Sequence, residues 1–170
     1  MQALVMTVIG KDRSGLVESI ARLVAEHGGN WLESRMCRLG GEFAGILRVH
    51  VPDENRSALE QSLAKVTDLS IVVRTDGPPQ AAGEPRFAFL EVVGPDRPGI
   101  VREISHVVAA QGVNVEELSS ECISAPMSGE PLFQARMKLL LPPDTTTAML
   151  RRSLGKPAGE LGLEFSVSGD

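Results

Sequence analysis

Val8-Ile9-Gly10-Lys11-Asp12-Arg13-Ser14-Gly15-Leu16-Val17 decides how this chain is read. An apolar run meets a glycine, an acidic-basic pair, a second glycine and then the start of a helical pattern. The chain writes the same thing again at Val92-Val93-Gly94-Pro95-Asp96-Arg97-Pro98-Gly99-Ile100-Val101, 84 residues on (94 − 10). Held from Val8/Val92 to Glu33/Glu117, that offset gives 12 identities in 26 positions. Gly10/Gly94, Asp12/Asp96, Arg13/Arg97, Gly15/Gly99 and Asn30/Asn114 are among them. Unrelated segments would share about one or two, so the chain is an internal duplication.

The repeat divides the 170 residues into two halves, each large enough for one small core. The expected domains are 1–76 and 86–170. A Pro- and Gly-rich linker, 77–85, lies between them. Apolar residues at 42% and charged residues at 23% are those of an ordinary globular protein. A net charge of −5 argues against a nucleic-acid-binding surface, which needs clustered Lys and Arg to neutralise phosphates. Two cysteines, Cys37 and Cys122, make no disulfide framework and are expected to be buried free thiols at similar places on matching strands. His27, His50 and His106 are scattered singly, so no metal site and no cofactor are expected. The N-terminus lacks the basic and apolar regions of a signal peptide, and no apolar run is of membrane-spanning length. The expected location is the cytoplasm.

Each half reads as β-α-β-β-α-β. In the first, Ala3 to Ile9 is a strand expected to be buried on most sides. Asp12 and Ser14 are candidate caps for a helix with Leu16, Ile20 and Val24 on one stripe. Gly28 suits its left-handed end. Asn30 to Leu39 and Glu42 to Val51 form a hairpin about Gly40-Gly41, with Phe43, Gly45, Leu47, Val49 and Val51 on one face. A helix over 55–65 and a strand over 69–74 close the half. In the second, strands are expected over 87–93, 113–124, 132–141 and 163–167. Its helices are expected over 98–111 and 145–155, with Pro98 in the first turn. The second hairpin carries six extra residues around 125–129, a candidate partner contact or a plain surface loop. This order makes an α+β fold: two ferredoxin-like plaits in tandem, each a four-stranded antiparallel sheet with two helices on one face.

Both copies of the motif leave a strand and open a helix. The first-turn amides there lack intrahelical acceptors and, with the helix dipole, favour an anionic group such as a carboxylate. An aspartate can accept from an ammonium, and an asparagine can both donate and accept. Asp12, the helix amides and Asn30 together suit the two charges of a free α-amino acid. A purely structural reading stands beside this one: Asp12 as a cap, Gly15 for helix–sheet packing, and Asn30 for a turn.

Gly-x-Asp-Arg-x-Gly-[Leu/Ile]-Val, then a helix and Gly-x-Asn, resembles the ACT domain, a small regulatory module that binds amino acids. The pattern occurs twice and covers nearly the whole chain. A tandem pair of this length is similar to the glycine cleavage system transcriptional repressor family. That resemblance implies a non-catalytic regulator that senses glycine and acts on a DNA-binding partner regulator by protein contact, without touching DNA. It carries the binding role onto Asp12, Arg13, Ser14, Gly15 and Asn30, and onto Asp96, Arg97, Pro98, Gly99 and Asn114. Ser14 departs from the family's proline, which Pro98 keeps. A homodimer is an allowed assembly, and no membrane contact is implied.

Other functions fit less well. Acylphosphatases share the plait and need an Arg and an Asn, which Arg13 and Asn30 superficially offer, but Asp12 beside the Arg would repel phosphate. Formyltetrahydrofolate deformylases carry an ACT pair before a catalytic domain, and no such third domain is expected here. RNA recognition through this topology needs aromatic platforms, and aromatic residues make up only 4% with no Tyr. A structural dimerisation module without a ligand remains the alternative.

Overall fold

A computed structural model describes residues 2–77, 84–125 and 129–169. The expected linker falls largely on 78–83, and the tip of the second hairpin on 126–128, both outside the described residues. The chain divides into two compact units, Met1–Gln80 and Ala81–Asp170.

The first unit runs β1 (Gln2–Lys11), α1 (Leu16–Glu26), β2 (Asn30–Leu39), β3 (Glu42–Val51), a 3-10 turn at Asp53–Asn55, α2 (Arg56–Ala64) and β4 (Leu69–Thr75). The second runs β5 (Arg86–Pro95), α3 (Ile100–Ala110), β6 (Asn114–Ser124), β7 (Pro131–Leu141), α4 (Thr147–Leu161) and β8 (Glu164–Gly169). The sheets are ordered β2-β3-β1-β4 and β6-β7-β5-β8, with every neighbouring pair antiparallel. This is the expected ferredoxin-like plait, built twice.

Periodicity explains both cores. Leu4, Met6 and Val8 alternate along β1, and Leu47, Val49 and Val51 along β3, all on one sheet face. Leu16, Ile20 and Val24 of α1 and Leu59 and Leu63 of α2 close over that face. Ala88, Leu90 and Val92 of β5 play the same part in the second unit, beneath Ile100, Ile104, Val107 and Val108 of α3 and Leu150, Leu154 and Ala158 of α4. Burial of each Val, Leu, Ile or Met side chain among these contributes about 1.5–3 kcal/mol. The first strand is not buried on most sides: it is hydrogen-bonded along both edges, but Ile9, on the face away from the helices, is 48% exposed. An apolar run reports the strand and cannot report which face a helix will cover.

The helix boundaries of the second unit moved. The α3 helix begins at Ile100, so Pro98 precedes it and Gly99 is its N-cap. The α4 helix continues through Gly155 and Pro157 to Leu161. A proline inside a helix costs about 3 kcal/mol. Burial of Leu150, Leu154 and Ala158 along one stripe, with Gly162 as a left-handed cap, offsets that cost. The irregular pattern of the second strand is a β-bulge, between Trp31 and Glu33 and again between Val115 and Glu117. Trp31 packs against the core.

The two motif glycines divide their work. A Cβ at Gly10 would lie 2.2 Å from the carbonyl oxygen of Asp68, and one at Gly94 would lie 2.9 Å from that of Gly162. These glycines let the first strand of each unit press against the turn that enters its last strand. Gly15 and Gly99 instead have φ of 84° and 97°, and a Cβ on either would meet nothing within 4 Å. They serve backbone shape, not helix–sheet packing, and leave open space above the loop. Gly10→Ala is therefore expected to destabilise its unit by about 2–4 kcal/mol through backbone overlap. Gly15→Ala should cost about 1–2 kcal/mol through left-handed strain alone. Urea denaturation of the two variants checks the order.

Candidate functional site

Each strand–helix loop is held to the neighbouring hairpin by its backbone. The Asp12 amide donates to the Gly41 carbonyl at 3.0 Å, and the Asp96 amide donates to that of Pro131 at 3.0 Å. Neither aspartate caps its helix: the N-caps are Gly15 and Gly99, and no side chain supplies a cap hydrogen bond. Ser14 does not cap either. The first-turn amides stay free of intrahelical partners.

In the first unit the side chains of the motif are engaged. Asp12 pairs with Arg38, whose Nε lies 2.5 Å from a carboxylate oxygen. Arg13 donates from Nε and Nη2 to one oxygen of Asp68, at 3.1 and 2.9 Å. Its Nη1 reaches the Ser14 carbonyl at 3.4 Å. In the second unit the corresponding places hold different chemistry. Phe43 faces Arg38 across the first hairpin and Phe133 faces Cys122 across the second, so Cys122 stands where Arg38 stands. The contacts of Gly10 with Asp68 and Leu69, and of Gly94 with Gly162 and Leu163, make Gly162 the counterpart of Asp68. Asp96 meets the Cys122 thiol by a hydrogen bond. Local desolvation, then the Asp96 charge and this hydrogen bond, hold that thiol above its usual pKa. Among the described residues, no ion pair engages Asp96 or Arg97.

The asparagines are elsewhere. Asn30 opens β2 opposite His50, whereas Arg38, beside the loop, is opposite Phe43 at the strand's other end. Eight residues of strand separate the two, roughly 20–25 Å. Asn114 is likewise at the far end of β6, where its amide donates to Glu116 at 3.0 Å. The helix carries the chain across the sheet before the asparagine is reached. Asp12 and Asn30 therefore do not meet one ligand within a unit, nor do Arg13 and Asn30 form an acylphosphatase-like pair.

The cysteines also differ from expectation. Both are exposed, and they lie on opposite sheet faces: Cys37 is opposite Ala44, on the face away from the helices, and Cys122 is on the helix side. Their sequence separation is 85 (122 − 37), one more than the repeat offset, and one residue turns a strand side chain over. Two further residues tie neighbouring elements together. His27 caps α1, its Nδ1 donating to the Leu23 carbonyl at 2.8 Å and its Nε2 meeting the Ser62 hydroxyl of α2 at 3.2 Å. Arg151 donates twice to the Val167 carbonyl, at 3.2 and 2.6 Å.

Residues 2–75 match the family model of the ACT domain. In this chain the first unit belongs to the ACT-domain family. The second unit repeats the same strand order and the same loop motif, so the chain is a tandem ACT-domain protein. It is 26% identical to the glycine cleavage system transcriptional repressor of Escherichia coli over 171 residues, covering 97% of this chain and 88% of that one. A UPF0237 protein of Methanopyrus kandleri is 36% identical over 81 residues, or 47% of this chain and 83% of its own length. The crystal structure of an unknown protein from Galdieria sulphuraria superposes with a TM-score of 0.86 and 29% identity, covering 99% and 98% of the two chains. No described helix is long and apolar enough to cross a membrane.

The Cys122 contact is checkable by chemistry. A raised thiol pKa means less thiolate at a given alkaline pH, and the thiolate is the nucleophile. Asp96→Asn removes the charge and weakens the hydrogen bond, so alkylation of Cys122 by iodoacetamide at about pH 8 is expected to speed up. Mass spectrometry of the modified peptide over time reads the rate. An unchanged rate would show that Asp96 does not bear on the thiol.

Proposed function

We propose that this tandem ACT-domain protein is a non-catalytic, amino-acid-responsive regulator of the glycine cleavage type. It senses glycine or another small amino acid and acts by protein–protein contact on a DNA-binding transcription regulator, in the cytoplasm. The observation that carries this reading is the similarity to the Escherichia coli repressor along 97% of the chain. A lone shared domain would not extend across both halves. The Asp-Arg-x-Gly loop written in both units supports it, since an aspartate, an arginine and free helix amides complement a carboxylate and an ammonium. The domains are 1–76 and 86–170, joined by 77–85. Ligand contacts come from Asp12, Arg13, Ser14 and Gly15 or their counterparts Asp96, Arg97, Pro98 and Gly99. Asn30 and Asn114 contribute only where another unit brings them to a loop. Ligand binding biases one arrangement of ACT units over another, and the partner reads the difference. The net charge of −5 disfavours direct contact with DNA.

A thermal-shift screen against the twenty amino acids tests the reading. Saturable stabilisation by glycine or a small amino acid at about millimolar concentration is the expected result, because a ligand that binds only the folded state raises its stability. No shift with any of the twenty would overturn it. In a gel-shift assay at about 0.15 M salt the protein alone is expected to leave duplex DNA unshifted.

A further inference from the structure

The duplication is a built-in comparison: one motif folded twice, with different residues set against it. In the first unit both motif charges are answered by the unit itself. Arg38 reaches over from β2 to Asp12, and Asp68, just ahead of β4, takes Arg13. The four side chains form two ion pairs and leave no net charge on the loop. In the second unit Asp96 and Arg97 repeat the charges, but Cys122 replaces the arginine and Gly162 the aspartate. A Cβ added at Gly162 would lie 4.0 Å from Arg97 Nη2, so the missing carboxylate is missing from the place where Arg97 would use it. The Cys122 thiol is a neutral donor to Asp96 and compensates no charge. Gly99 leaves the space above the loop open.

We infer that the two units are unequal: the second is the ligand site, taking one α-amino acid zwitterion per chain, and the first is closed by its own counter-ions. This rests on the reading above that the strand–helix loop binds the amino acid, and it assigns that role to one loop. The ligand's ammonium takes the position that Arg38 holds in the first unit, against Asp96. Its carboxylate takes the position that Asp68 holds, against Arg97 and the open amides of α3. Two charges of opposite sign, side by side and without counter-ions, fit a molecule carrying both charges and disfavour one carrying either alone. Acetate and methylamine should therefore each fail where glycine succeeds.

Reciprocal exchange of the counter-residues tests the assignment, with isothermal titration of the full chain as the readout and glycine, alanine and serine as probes. Wild type is expected to bind one equivalent per chain. Cys122→Arg installs in β6 the residue that β2 carries at the matching register, and should weaken binding by up to about fivefold. The double variant Arg38→Cys with Asp68→Gly should open the first loop and raise the stoichiometry toward two. Circular dichroism confirms that each variant is folded. Two equivalents bound by wild type, or undiminished binding by folded Cys122→Arg, would overturn the inequality while leaving the amino-acid reading intact. No binding of any probe by wild type or by the opened double variant would overturn both.

Discussion

Everything in each unit hangs on how closely its first strand approaches the turn into its last. That strand is central in the sheet, hydrogen-bonded along both edges, and it must end in a loop that starts the helix covering it. At Gly10 the chain passes so near the Asp68 carbonyl that any side chain would overlap it, and Gly94 repeats the approach at Gly162. The contact brings three segments to one corner of the unit: the strand–helix loop, the hairpin that accepts its backbone amide, and the turn before the edge strand. A residue from any of the three can reach the motif. What those residues are then decides whether the corner is closed or open.

The secondary structure was legible because it follows local periodicity. Alternation along Leu47, Val49 and Val51, and the fourfold spacing of Leu16, Ile20 and Val24, are visible in the sequence and reappear as buried faces. The duplication made topology legible as well, since a pattern found twice in the same order needs only one explanation. The site was legible only in part. Asp, Arg and Gly of each motif do share a loop, because they are adjacent in the chain. Asn30 was placed with them by its position in the pattern, but an eleven-residue helix intervenes and delivers it to the other end of the sheet. Arg38 and Asp68 cannot be read from the local sequence, for the converse reason. They are 26 (38 − 12) and 55 (68 − 13) residues from their partners, and only the register of the hairpin and the closeness at Gly10 bring them in. The cysteines show how fine that dependence is, since a one-residue difference from the repeat offset put them on opposite faces.

The ion pairs of the first unit are poor stabilisers. The side chains of Arg13 and Asp68 are 45% and 55% exposed, and pairs of that kind contribute about 0–1 kcal/mol. Their weight lies in competition. A partner fixed in the same sheet is present at an effective concentration in about the millimolar range or above, whatever the ligand concentration outside. A free amino acid arriving at Asp12 must displace Arg38 and leave a guanidinium to find water. At Asp96 it displaces only a thiol hydrogen bond. Interactions too weak to matter for folding are thus strong enough to separate two loops that share a motif. On the proposed reading, one surface substitution at a counter-ion would change which copy responds, while the core that both copies need stays untouched.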